Sequence, residues 1–354
     1  MRYGLIVFSN TDNLGDDIQS YATMAHLPHV DYVIERENMN NFVPNGNRVV
    51  AVIMAGWFLY SHLNWPPSPY IHPLNISMHF DTYYSKYRGN SLEKNMVLEG
   101  YGAKWLNLYG PVGARDYFTL NLLRGFGINS YFSGCITTTL KKFPHITKHN
   151  EIVAVDVSPQ IVDYVKQNSH KNVIIKTHKI KLEAVPLKER FQLVEEYLKL
   201  YQGASLVITS RLHAALPCLA LGTPVLFIKD TKFFNRIGTY MPCIYNEFED
   251  NILRKTFHYN FDNPPHNPTE YLKIQQYINK TCKDFINKCE QMPEISVTDK
   301  MIQSDMRARE HTLKILKERN NKKQQITSNY SYKNNIYPKF ILLYHVFLHM
   351  SFNF

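Results

Sequence analysis

The chain has 354 residues, of which 44% are hydrophobic, and its formal net charge is +10. This length suffices for two ordinary domains, each with its own core. The basic charge does not indicate a nucleic-acid-binding protein, because no RRM, zinc-finger or basic-zipper pattern accompanies it; we interpret the excess as solvated surface.

The first third of the chain alternates predicted strands with loops and helices. Apolar runs predict strands at residues 4–8, 30–34, 49–54, 75–80 and 128–132. Helices are predicted at residues 16–25, where acidic residues lie near the start, and at 117–124. Residues 57–73 are rich in Trp, Tyr, His and Pro and predict a loop that covers the body, or alternatively one that stacks on a sugar ring.

The same pattern restarts after residues 140–150, a polar stretch that predicts a domain boundary. Strands are predicted at 152–155, 173–176, 206–209 and 225–228, and helices at 186–201 and 268–318. This alternation is typical of parallel sheets with helices on both faces. We therefore predict an α/β fold of two Rossmann-like domains that face a cleft. The predicted ranges are 1–145 for the acceptor side, 146–320 for the donor side and 321–354 for a basic, then apolar tail.

Targeting and cysteine signals indicate a reducing compartment. The five cysteines form no CxxC pair, which argues against a disulfide framework and a structural zinc site. Residues 1–10 predict a first strand and not a signal peptide, so we expect a cytoplasmic protein. The apolar run at 340–354 is shorter than a spanning helix. Peripheral contact with the inner face of the membrane, packing on the body, self-association and an unstructured tail all remain open for it.

Residues 205–228 (SLVITSRLHAALPCLALGTPVLFI) are the most informative stretch. They predict a strand, a short helix that ends at residues 222–224 and a second strand. Ser210, Arg211 and His213 then fall at a helix N-terminus and at the carboxyl end of a strand, where anions bind. Because an arginine can hold a carboxylate or phosphate through two hydrogen bonds, the unit predicts an anionic small-molecule ligand.

Four segments of the chain resemble the polysaccharide pyruvyl transferases, in that family's order and roughly its spacing. They are residues 13–19 (NLGDDIQ), 113–116 (GARD), 133–137 (SGCIT) and 209–213 (TSRLH), the last continuing through 221–224 (LGTP). The resemblance implies a fold like that of the GT-B glycosyltransferases. It also implies phosphoenolpyruvate as the donor and a glycan sugar or lipid-linked oligosaccharide as the acceptor, in cell-surface polysaccharide biosynthesis.

The pattern and the resemblance together predict three groups of site residues. The predicted donor-binding residues are Arg211, Arg115, Ser210, Leu212, His178 and Arg236. His213 is expected to be the general acid or a phosphate ligand, and Asp16 or His79 the base on the acceptor side. The predicted acceptor contacts are Asn13, Gly15 and Gln19. No metal and no cofactor other than the co-substrate is expected.

Each of these residues also has a structural interpretation. Arg211 can pair locally, although a charge between two buried apolar runs is costly without a partner. Arg115 can bridge to Asp116, but an exposed bridge contributes only about 0–1 kcal/mol. Turn and N-cap chemistry accounts equally well for residues 13–16. A lone histidine such as His79 or His178 is more often structural than catalytic.

Two other functions remain open. A GT-B-type glycosyltransferase would present the same helix N-terminus to the diphosphate of a nucleotide sugar. A partner in glycan assembly that kept the fold but not the activity would account for the basic, apolar C-terminus.

Overall fold

A computed structural model of the chain describes residues 1–58, 65–80, 96–229 and 237–333. In this part of the chain every strand pair is parallel, which confirms the predicted mixed α/β fold with parallel sheets. The strands are β1 (Arg2–Val7), β2 (Tyr32–Glu35), β3 (Val50–Ile53), β4 (Gly56–Phe58), β5 (Ile71–Leu74), β6 (Met78–Phe80), β7 (Val112–Ala114), β8 (Ser130–Phe132), β9 (Glu151–Val155), β10 (Asn172–Lys176), β11 (Leu206–Thr209), β12 (Val225–Lys229) and β13 (Tyr245–Phe248).

Helices connect most of these strands. They are α1 (Leu14–Met24), α2 (Gly100–Leu108), α3 (Tyr117–Gly125), α4 (Pro159–Gln167), α5 (Leu187–Gly203), α6 (Leu212–Leu221), α7 (Glu249–Leu253), α8 (Tyr271–Gln291) and α9 (Asp299–Lys333). Short 3₁₀ helices cover Arg36–Asn41, Ile136–Thr139 and Gly238–Cys243. None of the helices in the described ranges is both long enough and apolar enough to cross a membrane.

The first half of the chain forms two four-stranded sheets that run into one another. Their orders are β2-β1-β3-β5 and β4-β6-β7-β8. β3 leads into β4 and β5 into β6 after bends of two or three residues, and Ser77 in the second bend has a φ of +57°. Because of these bends, β4 and β6 belong to the second sheet, in which β7 and β8 follow β6, and β5 is left at the edge of the first sheet.

The second half forms one five-stranded sheet of order β10-β9-β11-β12-β13. The predicted unit of strand, helix and strand at its centre is confirmed as β11, α6 and β12. Gly222 ends α6 in the left-handed conformation with a φ of +73°, which a glycine adopts without a steric penalty. The buried faces of β11 and α6 supply much of the core, as the apolar sequence of both elements requires.

A single apolar cluster joins the two halves. It includes Leu5 of β1, Ile18 of α1, Val153 of β9, Val207 of β11 and Leu216 of α6. The five-stranded sheet draws on residues 151–248 and the other two sheets on residues 2–132. The bounds of two separate domains stay a prediction.

A buried ion pair fixes α1 against α5 inside this cluster. Arg190 donates from Nη2 to Asp17 Oδ1 over 2.5 Å and from Nε to Asp17 Oδ2 over 3.1 Å. Its Nη2 also donates to the carbonyl of Phe8 over 2.6 Å. The pair therefore ties the end of β1 and the start of α1 to the second half.

Some sequence expectations were wrong. Residues 57–73 are not one loop, because β4 and the start of β5 lie within them; the proline and histidine of β5 masked its strand character. The helix predicted over residues 268–318 is two helices, α8 and α9, and α9 continues to Lys333, into the range predicted as a tail. Elements α4, β7 and β13 were not anticipated, since each is short or half-exposed. The apolar run at 340–354 lies outside the described residues.

Candidate functional site

A small cavity of about 40 Å³ lies where elements of the two halves meet. Most of the residues that line it come shortly after the carboxyl ends of parallel strands, where ligands bind in open α/β sheets. The residues that line it are Asn13, Trp57, Arg115, His178, Arg211, Leu212 and His213. Six of these seven were predicted from the sequence as site residues.

The backbone brings two of these walls together directly. The N–H of Leu14 donates to the carbonyl of His178 over 2.9 Å, and the N–H of Ile180 donates to the carbonyl of Asp12 over 2.8 Å. Asn13 caps α1 by accepting from the N–H of Gly15 over 3.2 Å. The start of α1 and the loop after β10 therefore form one joined wall of the cavity.

Arg115 is a nearly buried cation, with 1% of its surface exposed. Its Nη1 donates to Gln19 Oε1 over 2.9 Å, while its Nε lies 3.7 Å from Asp116 Oδ2. Within the described ranges this Nε makes no hydrogen bond. Burying a charge with so incomplete a hydrogen-bond set costs free energy, which a bound anion at the cavity offsets.

A histidine and a carboxylate support Arg115 from behind. His79 Nδ1 lies 2.6 Å from Asp116 Oδ2, and Thr119 donates its N–H to Asp116 Oδ1 over 2.9 Å. Burial alone raises the pKa of Asp116, but His79 and Arg115 outweigh it and hold that pKa well below its usual range. Asp116 is thus a carboxylate at neutral pH, and it compensates part of the Arg115 charge.

Arg211 is the more accessible arginine, with 31% of its side chain exposed. It is the N-cap residue of α6, and its Nε donates to Asp156 Oδ2 over 2.7 Å. Asp156 also accepts from Thr177 Oγ1 over 2.6 Å and from the N–H of His178 over 3.0 Å. Burial raises the pKa of Asp156, but these hydrogen bonds and the Arg211 charge lower it further, so the group is ionised and orients Arg211.

His178 is fully buried and neutral at the cavity wall. Its Nε2 lies 2.7 Å from the hydroxyl of Tyr201, whereas Nδ1 has no hydrogen-bond partner among the described residues. Burial lowers the pKa of His178 to about 4 and raises that of Tyr201 well above its usual value. When the Tyr201 hydroxyl donates to Nε2, Nδ1 carries the hydrogen, and an anion in the cavity favours this tautomer.

His213 lies in the first turn of α6, over the start of α1. Its Nε2 is 3.8 Å from Cys135 Sγ, and its Nδ1 would lie 2.9 Å from a Cβ placed on Gly15. Only a glycine allows α1 and the His213 ring to approach so closely. The close packing of α1 against the His213 ring therefore explains why a glycine stands at position 15. Cys135 contacts the ring at its other nitrogen.

The remaining predicted residues lie around the cavity and do not line it. Asp16 is half-exposed at the start of α1 and accepts from Thr11 Oγ1 over 2.7 Å. Gln19 is buried and its side-chain carbonyl is used by Arg115. Ser210 donates to the carbonyl of Asp156 over 2.5 Å. Arg236 lies outside the described residues.

Sequence reasoning missed two residues of the site. Asp156 follows β9 and has a φ of +50°, which aspartate tolerates better than most residues. Its position at the end of an apolar strand was a usable signal. Trp57 lines the cavity and packs edge-on against His79, with ring centroids 5.4 Å apart. The predicted aromatic cover over residues 57–73 contained it, but without a role at the anion site.

The charges of the cavity favour an anion. Its lining contains two arginines and two imidazoles, and no carboxylate among the residues that the structure describes there. No group of three or more His, Cys, Asp or Glu side chains in the described ranges is arranged to hold a metal ion. The site can therefore bind a small ligand with separate negative groups through its own side chains.

Comparison with known proteins finds one matching family model and several solved structures of low similarity. A family model described as polysaccharide pyruvyl transferase matches residues 13–230. No curated protein is similar enough to count as a relative. A solved UDP-GlcNAc 2-epimerase from Methanocaldococcus jannaschii is 12% identical and has a TM-score of 0.42, with 82% of this chain and 100% of that chain covered. A second structure of such an enzyme from that organism, in complex with UDP-GlcNAc and UDP, is 13% identical and has a TM-score of 0.35, with 90% and 100% covered. At these scores neither structure carries an argument about this chain.

Proposed function

The chain belongs to the polysaccharide pyruvyl transferase family and is a transferase, and from that premise we propose that it moves the pyruvyl group of phosphoenolpyruvate onto a sugar of a glycan as a ketal. The observation that carries the proposal is the cavity lined by Arg115, Arg211, His178 and His213, where none of the described lining residues is a carboxylate. Phosphoenolpyruvate carries its carboxylate and its phosphate on the same enol carbon. Two separated arginines match this pair of charges.

The two arginines have different roles in this proposal. Arg115 is rigid, because Gln19 and the pair of Asp116 and His79 hold it in a buried position. Arg211 is partly exposed and is oriented by Asp156, so it reaches a ligand that enters from solvent. We assign the inner anionic group of the donor to Arg115 and the outer one to Arg211. Ser210 and the backbone of Leu212 then complete the start of α6 around the outer group.

The reaction balances without a cofactor. A proton adds to the methylene carbon of phosphoenolpyruvate, which becomes the methyl group, and positive charge develops at the carbon that bears the phosphate. One sugar hydroxyl forms a C–O bond there, the bond from that carbon to the phosphate oxygen breaks, and a second hydroxyl closes the ketal. Of the two hydroxyl protons, one corresponds to the proton gained by the methyl group and the other leaves with inorganic phosphate.

The two histidines of the cavity have different roles in this proposal. We assign proton delivery to His213, which stands at the helix start beside the anion-binding groups. We assign to His178 a hydrogen bond from Nδ1 to the donor, since His178 lines the cavity and stays neutral, and this nitrogen has no hydrogen-bond partner among the described residues. Protonated and anion-binding groups in these positions stabilise the charge that develops on the departing phosphate.

Of the predicted acceptor contacts, only Asn13 lines this cavity. Asn13 lines it, and Asp16 stands half-exposed one turn away, so we propose Asp16 as the base that takes the proton of the attacking hydroxyl. His79 is bound to Asp116 and we assign it a positioning role behind Arg115 in place of a role as base. Gln19 acts in the same way.

Calorimetric titration with phosphoenolpyruvate tests the proposal. We expect saturable binding to the wild-type protein and a Kd raised about 10- to 150-fold in Arg211→Met, the effect of losing one charge-assisted contact. Arg124→Met, which removes an exposed arginine in the last turn of α3, is the matched control and should bind like the wild type. Saturable binding of UDP without binding of phosphoenolpyruvate would instead support the nucleotide-sugar glycosyltransferase.

A further inference from the structure

A second and larger cavity, of about 550 Å³, lies beside the anion site. It occupies the carboxyl edge of the five-stranded sheet, where β9, β11, β12 and β13 end. Its lining residues are Asp156, Val157, Ser158, Ser210, Ile228, Lys229, Phe248, Glu249, Asp250, Asn251 and Arg254. This volume lies within the range of ligand-binding cavities, whereas the anion site holds only a very small molecule.

The two cavities share one wall. Asp156 holds Arg211 through its carboxylate and Ser210 through its carbonyl. Ser210 lines the large cavity and Arg211, the next residue, lines the small one. A wall that contains Asp156, Ser210 and Arg211 therefore separates a ligand in the large cavity from the anion-binding groups.

The charges of the two cavities differ. Among the described residues, three carboxylates (Asp156, Glu249 and Asp250) and two cations (Lys229 and Arg254) line the large cavity. The balance of one negative charge disfavours a second dianion or a nucleoside diphosphate. Carboxylate, amide and hydroxyl side chains are instead the groups that bind sugar hydroxyls.

An aromatic ring stands at this cavity as well. Phe248 is half-buried at the end of β13, and the Lys229 ammonium lies 4.1 Å from the centre of its ring. Glu247 accepts from the backbone N–H of Phe248 over 2.7 Å and from Asn251 Nδ2 over 2.9 Å, which ties the end of β13 to α7 and holds the Asn251 amide in place. An apolar ring face beside fixed polar groups suits the mixed surface of a hexose.

We propose that this cavity binds an uncharged sugar residue of the acceptor glycan, and this inference rests on the proposed pyruvyl transfer. The acceptor then approaches the donor from the second half of the chain and across the wall formed by Asp156. Asn251 and Asp250 are the groups that select sugar hydroxyls, and Phe248 supplies the apolar contact.

Ligand-observed NMR titrations on the full chain test the inference. The probes are methyl β-D-galactopyranoside, methyl β-D-glucopyranoside and methyl β-D-mannopyranoside, each added with phosphoenolpyruvate present. We expect at least one probe to bind, and Phe248→Ala and Asn251→Ala each to weaken its binding about fivefold or more. Asp250→Asn, an exposed and isosteric change, covers the case in which the other two variants misfold. Lys166→Ala, on an exposed position of α4, is the control and should leave binding unchanged.

The outcomes separate this inference from the proposed function. Failure of all three glycosides to bind, binding that none of the cavity variants weakens, or displacement of the sugar by UDP would each overturn the sugar-binding role of the cavity. If these failures occur while the wild type and the variants still bind phosphoenolpyruvate, only the cavity assignment is lost. If a sugar binds in a Phe248-dependent way while phosphoenolpyruvate does not bind, the sugar site stands and the pyruvyl transfer fails.

Discussion

Replacement of Asp156 by asparagine tests how the site orients its accessible arginine. Oδ2 of Asp156 accepts from Arg211 Nε and from the N–H of His178, and Oδ1 accepts from Thr177. An asparagine can keep its oxygen toward Arg211 and His178, because the Thr177 hydroxyl can turn to accept from the new amide. The change Asp156→Asn thus removes the negative charge and leaves the hydrogen-bond geometry nearly intact.

The size of the effect follows from the loss of the carboxylate charge in one charge-assisted hydrogen bond, the bond from Arg211. Such a bond contributes about 1.5–3 kcal/mol, and the partial exposure of Arg211 reduces this to about 1–2 kcal/mol. If the orientation of Arg211 contributes this much to donor binding, the Kd for phosphoenolpyruvate rises about 5- to 30-fold.

Calorimetry at neutral pH measures this change. Asp163→Asn, on an exposed position of α4, removes the same charge away from the site and should leave the Kd unchanged. Thermal unfolding of both variants confirms that each is folded at the temperature of the titration. A Kd for Asp156→Asn within twofold of the wild type, combined with a large loss in Arg211→Met, would refute the orienting role of Asp156.

Three further predictions concern the stability of the folded chain and the close approach of Gly15 to His213. Asp17→Ala leaves the Arg190 charge buried without its carboxylate, so the free energy of unfolding in urea should fall by about 3–5 kcal/mol. Burial lowers the pKa of His178 from 6.5 to about 4, so the unfolded state binds more protons than the folded state between these pH values. The contribution of neutral His178 to the free energy of unfolding is complete above pH 6.5 and falls by up to about 3 kcal/mol as the pH decreases toward 4. His178→Gln should flatten this part of the pH profile. Gly15→Ala places a methyl group 2.9 Å from His213 Nδ1, so phosphate release from phosphoenolpyruvate should fall about tenfold or more while urea unfolding changes by less than about 1 kcal/mol.

Matched variants accompany these three measurements. Asp163→Asn, His170→Gln and Gly125→Ala change the same residue types at exposed positions, and each should behave like the wild type. A urea midpoint of Asp17→Ala equal to that of Asp163→Asn would contradict the stabilising role of the buried pair. An unaltered pH profile in His178→Gln, or full activity in Gly15→Ala, would contradict the other two.

The sequence was sufficient to predict the elements with strong apolar character. β9, β11, α6 and β12 are buried on most sides, so their runs of Val, Ile, Leu and Ala indicate their positions without other information. β4 and β5 were missed because Gly56 and Pro73 are depleted in strands and the two elements are only three and four residues long. Where the local signal is this weak, pairing with strands elsewhere in the sequence determines whether the segment forms a strand.

The site was predictable at the level of which residues meet, and not of what each one does. Arg115, His178 and Arg211 all line the cavity. His178 and Arg211 were singled out because each follows a predicted strand, whereas Arg115 was singled out through the family resemblance, since the strand before it was not predicted. The use of Gln19 by Arg115, however, depends on a contact across 96 positions of the chain. The pairing of Asp156 with Arg211 likewise spans 55 positions. Contacts of this range leave no trace in local composition or spacing.

The apolar cluster that includes Leu5, Ile18, Val153 and Val207 has a consequence for how substrates reach the enzyme. Swinging one half away from the other, as a hinged clamshell does, would expose these side chains to water, at about 25 cal/mol for every Å² uncovered. Both halves should accordingly melt in one cooperative transition. Entry and exit of ligands then depend on local rearrangements at the rim, and turnover does not require the two halves to separate.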